Sequence, residues 1–212
     1  MPHRGPQMIS VTHDEILDGT SAFQDHERRD AMYKTATFLV AHFWGQPAQM
    51  ADGLGVLLLT WNQAFYRYGG FDFDVLEACI AETIGQLEGV RTRDISTYDY
   101  SDNAPIAELF DRFNAALSIR KDGEEGLKSP VSTAKALHLL APAFFPLWDN
   151  EIARAYGFNY QSEPADKYLR FMREMKRIMK SIDLTTLSAE TGKTALKLID
   201  EYNYARFTKH WI

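Results

Sequence analysis

Residues 166–182 read DKYLRFMREMKRIMKSI, and this stretch decides the fold class of the protein. Its apolar residues recur at intervals of three and four, at Tyr168, Phe171, Met172, Met175, Ile178, Met179 and Ile182. Such spacing places them on one face of an α-helix, whereas a half-buried strand would alternate apolar and polar residues. The stretch therefore predicts an amphipathic helix that packs its apolar face into a core.

Helical spacing continues through nearly all of the remaining sequence, and no convincing alternating pattern appears. Start signals accompany it, among them the capping-box pair Thr12 and Glu15 and the Ser129-Pro130 dipeptide. We expect an all-α fold, an irregular bundle of eight or nine helices with no sheet of three or more strands. The longer predicted helices cover roughly residues 25–43, 51–68, 72–87, 103–119, 164–182 and 191–210.

The length of 212 residues suits one helical domain, or two lobes joined near the charged, glycine-containing stretch 121–129. Cys79 is the only cysteine, so the chain forms no intrachain disulfide and holds no four-cysteine iron–sulfur cluster. Its neighbours Ala78 and Ile80 are apolar, which predicts a buried, unreactive thiol. The histidines show no metal-ligand spacing, so we expect no metal site.

Residues 1–10 are polar and carry two prolines, unlike a secretory signal, and the longest apolar run, 56–59, is too short to cross a membrane. We therefore expect a cytoplasmic protein without a membrane partner. The net charge of −6 argues mildly against non-specific nucleic-acid binding. The charge is uneven, however, because residues 165–212 carry +4.

Residues 132–154 read STAKALHLLAPAFFPLWDNEIAR. A helix start, Ser132-Thr133-Ala134, is followed by the turn F-P-L-W-D at 145–149 and by Arg154. This pattern resembles the helix-hairpin-helix (HhH-GPD) DNA glycosylase superfamily, especially its adenine-mismatch branch, in which the aspartate of an F-P-x-x-D turn heads the next helix. The resemblance implies a DNA-glycosylase-like fold, DNA as the partner and base excision as the activity. Because the single cysteine excludes an iron–sulfur cluster, we expect no cofactor.

The segment also departs from that family. Its hairpin counterpart, residues 127–131, has no glycine to let backbone N–H groups approach a phosphate, and Pro130 lacks a donor. The position of the nucleophilic lysine in lyase-active members is Ser132. Two interpretations follow: a glycosylase without lyase activity, or a non-catalytic helical scaffold of the same fold that binds a protein or small ligand.

The resemblance also implies roles for individual residues. Asp149 would stabilise the sugar cation left by the departing base, or it simply caps a helix. Lys135 lies one helical turn after Ser132 and is a candidate Schiff-base nucleophile, with a solvated lysine as the alternative. A flipped base would be stacked and hydrogen-bonded by the following candidates, which otherwise belong to the core: Trp61, Asn62, Gln63 and Trp148.

The basic side of residues 166–182 is a candidate nucleic-acid surface. Its cations are Lys167, Arg170, Arg173, Lys176, Arg177 and Lys180. Among them we select Arg170, Arg173, Arg177 and Lys180 as phosphate contacts. A membrane, a protein partner or a solvated outer face of the bundle would account for the same pattern.

Overall fold

The computed structural model describes residues 9–67, 69–121, 124–159 and 161–212. Within them lie eleven α-helices, which are α1 (His13–His26), α2 (Ala31–His42), α3 (Pro47–Trp61), α4 (Gln63–Tyr66), α5 (Phe73–Arg91), α6 (Asn103–Ala116), α7 (Pro130–Leu140), α8 (Asn150–Ala155), α9 (Pro164–Ser181), α10 (Thr185–Thr191) and α11 (Ala195–Asn203). The remaining regular elements are two 3-10 turns (Ile95–Thr97 and Tyr100–Asp102), a π-helical turn (Tyr204–Thr208) and a two-residue antiparallel ladder of β1 (Arg120–Lys121) and β2 (Glu124–Glu125).

The predicted all-α class is confirmed, and nine of the helices in the described residues are seven residues or longer, as expected for the bundle. None of these helices is both long and apolar enough to cross a membrane. Three predictions fall partly outside the described residues. They are the absence of a secretory signal, at residues 1–8, the end of the predicted helix 51–68, at Tyr68, and the connector 121–129, at residues 122–123.

Several helix starts follow the predicted capping chemistry. The Thr12 hydroxyl accepts from the Glu15 backbone N–H at 3.3 Å, and the Glu15 carboxylate accepts from the Thr12 N–H at 2.9 Å. Asp72 caps α5 and Ser129 caps α7 in the same manner, with the side-chain oxygen accepting a first-turn N–H. These side chains satisfy donors that a helix cannot pair internally.

Three helix boundaries were predicted wrongly. Asp25 lies inside α1 and does not begin a helix to residue 43, because Asp30, with φ +41°, breaks the right-handed path before α2. The predicted helix 51–68 is interrupted at Asn62, between α3 and α4. The helix expected over 191–210 is instead α11 followed by the π-helical turn, and Gly192, with φ +67°, ends α10 before it.

The Cα positions divide into two compact units. The first comprises the described parts of Met1–Arg29, Asp94–Asp99 and Pro142–Ile212. In it α1 packs against α11, so closely that a Cβ on Gly19 would lie 2.6 Å from Tyr202 Cα. The apolar face of α9 is buried as predicted, at Tyr168, Phe171, Met172, Met175 and Ile178.

The second unit comprises Asp30–Arg93 and Tyr100–Ala141. Its layers follow the chain: α2 packs on α3, α3 on α5, α5 on α6 and α6 on α7, and α7 returns to contact α2 and α3. The core of this unit includes Leu54, Leu58, Phe110 and Phe113. The described residues of the stretch 121–129 lie in this unit, and the choice between one domain and two lobes stays a prediction.

Candidate functional site

The break between α3 and α4 places a polar junction in the second unit. Asn62 ends α3 with φ −115° and ψ 29°, so its side chain leaves the helical register and reaches α7. There its Nδ2 donates to Ser132 Oγ, and its Oδ1 accepts from Lys135 Nζ at 2.6 Å. Lys135 Nζ also lies 3.4 Å from the backbone oxygen of Trp61. One asparagine thus connects the end of α3 to two residues one turn apart on α7.

An aromatic pair adjoins this junction. Tyr33 of α2 stacks on Trp61 with ring centroids 5.9 Å apart and an interplanar angle of 8°. Lys135 Nζ lies 5.5 Å from the centroid of the Trp61 ring, within the range of a cation–π contact. The Tyr33 hydroxyl hydrogen-bonds His138 Nε2 at 2.9 Å. We call these six residues, Tyr33, Trp61, Asn62, Ser132, Lys135 and His138, the Trp61 cluster.

Burial separates the Trp61 cluster into a sealed side and an accessible side. Asn62 is 8% exposed, and Ser132 and His138 are fully buried. Tyr33, Trp61 and Lys135 remain partly exposed. Beneath them Tyr66 donates to the Leu117 backbone oxygen at 3.0 Å, and burial raises the pKa of Tyr66 to about 12 despite a hydrogen bond with Ser132. The buried, hydrogen-bonded residues therefore support an aromatic surface, formed by Tyr33 and Trp61, with the Lys135 amine beside it.

Sequence reasoning found part of this cluster. Trp61, Asn62 and Lys135 were candidates and lie together, whereas His138, which is buried and hydrogen-bonded, was not among the candidates. Gln63 lies outside the cluster, exposed at the start of α4, with no hydrogen bond to the described part of the chain. Tyr33 was missed, because it lies 105 residues before His138 and no local pattern marks it.

Asp149 and Trp148 belong to the first unit, whereas the Trp61 cluster belongs to the second. Asp149 is the N-cap of α8, as predicted: its Oδ1 accepts from the Ile152 N–H at 2.8 Å. Its Oδ2 accepts from Thr208 Oγ1 at 2.6 Å, a contact from the π-helical turn that sequence reasoning missed. The carboxylate is only partly exposed, and two donors fix its orientation.

Trp148 lies in the core of the first unit, with 1% of its surface exposed. Its ring meets Tyr168 edge-on at 5.3 Å between centroids and Phe171 at 5.5 Å. The Tyr168 hydroxyl donates to the Pro146 backbone oxygen at 2.8 Å and so holds the proline-bracketed turn against α9. These contacts favour the interpretation of Trp148 as a core residue over that of a base-stacking one.

The six cations of α9 lie in two kinds of surroundings, because three of them are bonded to other groups of the same unit. Lys167 donates to Ser162 Oγ at 2.7 Å, and Lys176 donates to the Tyr98 backbone oxygen. Arg177 pairs with Glu174 at 3.0 Å and donates to the Ile9 backbone oxygen. The other three, Arg170, Arg173 and Lys180, are exposed.

Neither the histidines nor the cysteine supplies a metal or redox centre in the described part of the chain. No group of three or more His, Cys, Asp or Glu side chains there is arranged to hold a metal ion. Cys79 is buried, as predicted, and burial raises the pKa of its thiol to about 12.

No protein-family model matches the chain, and no curated protein or solved structure matches it significantly. The resemblance to DNA glycosylases rests on the sequence of residues 132–154.

Proposed function

We propose that this protein is a DNA-glycosylase-like protein that binds nucleic acid and holds an unstacked nucleobase against the Trp61 cluster. The observation that carries the proposal is the stacked Tyr33–Trp61 pair with the Lys135 amine 5.5 Å from the Trp61 ring centroid. Every nucleobase has a π-face, and stacking on an aromatic side chain contributes roughly 1–3 kcal/mol per base. Both rings are partly exposed, so the pair is accessible from solvent.

The polar members of the cluster support a binding role for Lys135 more than a covalent one. A Schiff-base nucleophile must present an amine lone pair to a carbonyl carbon. The Lys135 nitrogen instead donates to the side-chain carbonyl of Asn62 and lies near the Trp61 backbone oxygen. Ser132, at the position of the family's lysine, is fully buried and accepts from Asn62. Both features favour base recognition without lyase chemistry.

Cleavage of the N-glycosidic bond is a second candidate function, and the fixed carboxylate of Asp149 favours it. Two hydrogen bonds, from Ile152 N–H and Thr208 Oγ1, set the direction of this carboxylate without covering all of its lone pairs. A preoriented anion stabilises the cationic sugar that forms as a base departs. In that reaction water would add to the sugar carbon and the base would leave with the electron pair of the broken bond.

The binding proposal is tested by fluorescence anisotropy with labelled single strands, a duplex containing an abasic site or mismatch, and a fully paired duplex. We expect tighter binding to the substrates with an unstacked base. Trp61→Ala should weaken that binding by roughly 5- to 150-fold, the equivalent of the stacking free energy. Trp44→Ala is the matched control, because Trp44 lies in the same unit and stacks only against Arg91 of α5.

Equal affinity of the Trp61→Ala and Trp44→Ala variants for every substrate would contradict the binding proposal and favour the non-catalytic scaffold with a protein or small-ligand partner. Catalysis is assayed separately, by alkali-labile strand scission after incubation with mismatched duplexes. Asp149→Asn should abolish scission and preserve α8, since asparagine caps a helix as well as aspartate does. Scission that survives this substitution would rule out a catalytic role for Asp149.

A further inference from the structure

Three cations of α9 face solvent on one side of the helix. Arg170, Arg173 and Lys180 are exposed, and their side chains make no hydrogen bond or ion pair with another described residue. At 100° per residue they fall within about 80° of one another around the helix axis. The structure thus separates them from Lys167, Lys176 and Arg177, whose charged groups are bonded to other groups of the same unit. We call these three residues the α9 stripe.

The surroundings of the α9 stripe leave it positive. The exposed residues of α9 are the three cations, Ser181 and one carboxylate, Asp166, in the first turn. The other acidic residue of the helix, Glu174, is partly buried and bonded to Arg177. Asp166 lies four residues before Arg170 on the same side of the helix, so the exposed charged groups of α9 sum to +2. Such a surplus of cations on a rigid helix attracts an anionic partner at little conformational cost.

We infer that the α9 stripe binds the phosphate backbone of a nucleic acid, which deepens the proposed function and rests on it for the class of partner. The stripe spans ten residues, or about 15 Å of helix axis at 1.5 Å per residue. One DNA strand places a phosphate about every 3.4 Å along the duplex axis, so three contacts fit within roughly five nucleotides. Guanidinium groups also bind phosphate oxygens in pairs, which suits the two arginines.

The packing of α9 argues against an anionic membrane as the partner. A helix that lies on a membrane inserts its apolar face among the lipid chains. Here Tyr168, Phe171 and Met175 of that face are buried inside the unit, and no large hydrophobic residue of α9 is exposed. The stripe therefore offers charge alone, as a non-specific phosphate contact requires.

The test is the salt dependence of duplex binding, measured by anisotropy for the wild-type protein and the triple variant Arg170→Gln/Arg173→Gln/Lys180→Gln. Each neutralised phosphate contributes about 0.9 to the slope of log K against log salt, so the variant should lose about 2.7 units of slope on duplex. On single strands the loss should be about 2 units. Lys167→Gln, which removes the same charge from the same helix at a bonded position, should leave the slope unchanged.

An unchanged slope in the triple variant would overturn the inference even if Trp61→Ala still weakened binding. So would a loss of about 0.9 units in Lys167→Gln, the full contribution of one phosphate contact. If the triple variant loses the salt dependence and Trp61→Ala leaves the affinity unchanged, the stripe is upheld and base recognition is contradicted. Absence of nucleic-acid binding at low salt would overturn both. A fourth outcome would also overturn the inference: the wild-type protein binds vesicles of anionic lipid but no nucleic acid, and the triple variant does not bind the vesicles. That result would assign the stripe to a membrane surface.

Discussion

The side-chain oxygen of Asn62 accepts a hydrogen bond of 2.6 Å from Lys135, which lies 73 residues further along the chain. The same amide donates to Ser132, so Asn62 satisfies one polar group on each of two successive turns of α7. The Asn62 side chain makes these two hydrogen bonds at the position where α3 ends. The local break in the helix and the long-range junction are therefore aspects of one arrangement.

Replacing Asn62 should lower the stability of the protein. Asn62→Leu removes one hydrogen bond from the buried Ser132 hydroxyl, which keeps its bond with Tyr66, and one from Lys135. Each lost hydrogen bond costs about 0.5–1.5 kcal/mol. The free energy of unfolding is measured by urea denaturation. Gln63→Leu, on the exposed neighbouring residue, should change it by no more than about 0.5 kcal/mol. Equal effects of the two substitutions would show that the junction contributes nothing to folding.

Local signals predicted much of the fold. The capping box at Thr12, the Ser129-Pro130 helix start and Asp149 as an N-cap depend on residues within three or four positions, where the chemistry is visible in the sequence. The apolar face of α9 followed from periodicity alone. These features were predicted correctly because short-range hydrogen bonds and one-sided burial determine them.

Long-range contacts explain what sequence reasoning missed. The left-handed backbone at Asp30, the interruption of α3 and the bond from Thr208 to Asp149 all depend on residues distant in the chain or on tertiary packing. Likewise, the three engaged cations of α9 look identical in the sequence to the three exposed ones. Their partners, including Tyr98 and Ile9, become neighbours only when the unit folds.

The Asp149 cap should contribute measurably to stability, whatever its role in chemistry. Asp149→Ala removes the acceptor for the Ile152 N–H and should lower the free energy of unfolding by about 0.5–2 kcal/mol. Asp149→Asn should cost much less, because its amide oxygen still caps the helix. Thermal denaturation of both variants checks this. A loss as large for asparagine as for alanine would mean that the bond to Thr208 matters more than the cap.

Cys79 should resist thiol reagents in the folded protein. Burial raises the pKa of its thiol to about 12, so only about one molecule in ten thousand carries the reactive thiolate at pH 8. We expect a disulfide reagent such as Ellman's to release its chromophore slowly from native protein and rapidly in urea. Rapid labelling of native protein at that pH would show that the helix carrying Cys79 opens frequently.

Glu201 should make the stability of the protein depend on pH. Its carboxylate is fully buried, with Oε2 at 2.8 Å from Lys193 Nζ and Oε1 at 3.8 Å from Lys197 Nζ. Burial raises the pKa of Glu201, and the two lysines oppose that rise only in part. The folded protein consequently binds a proton at pH values where the unfolded chain has released it. The resulting stabilisation is present below the ordinary carboxyl pKa of 4.5 and is lost as the pH rises through the higher folded pKa.

Glu201→Gln removes this titration, so the free energy of unfolding of the wild-type protein should fall relative to that of the variant as the pH rises above about 4.5. The slope of that difference cannot exceed about 1.4 kcal/mol per pH unit, the value for one proton. Urea denaturation at several pH values between about 4 and 8 measures it. Glu190→Gln, which removes an exposed carboxylate from α10, controls for the change in net charge. The prediction fails if the difference in the free energy of unfolding between wild type and Glu201→Gln does not change with pH. It also fails if the wild type becomes more stable relative to the variant as the pH rises. Either result would mean that the lysines outweigh burial at Glu201.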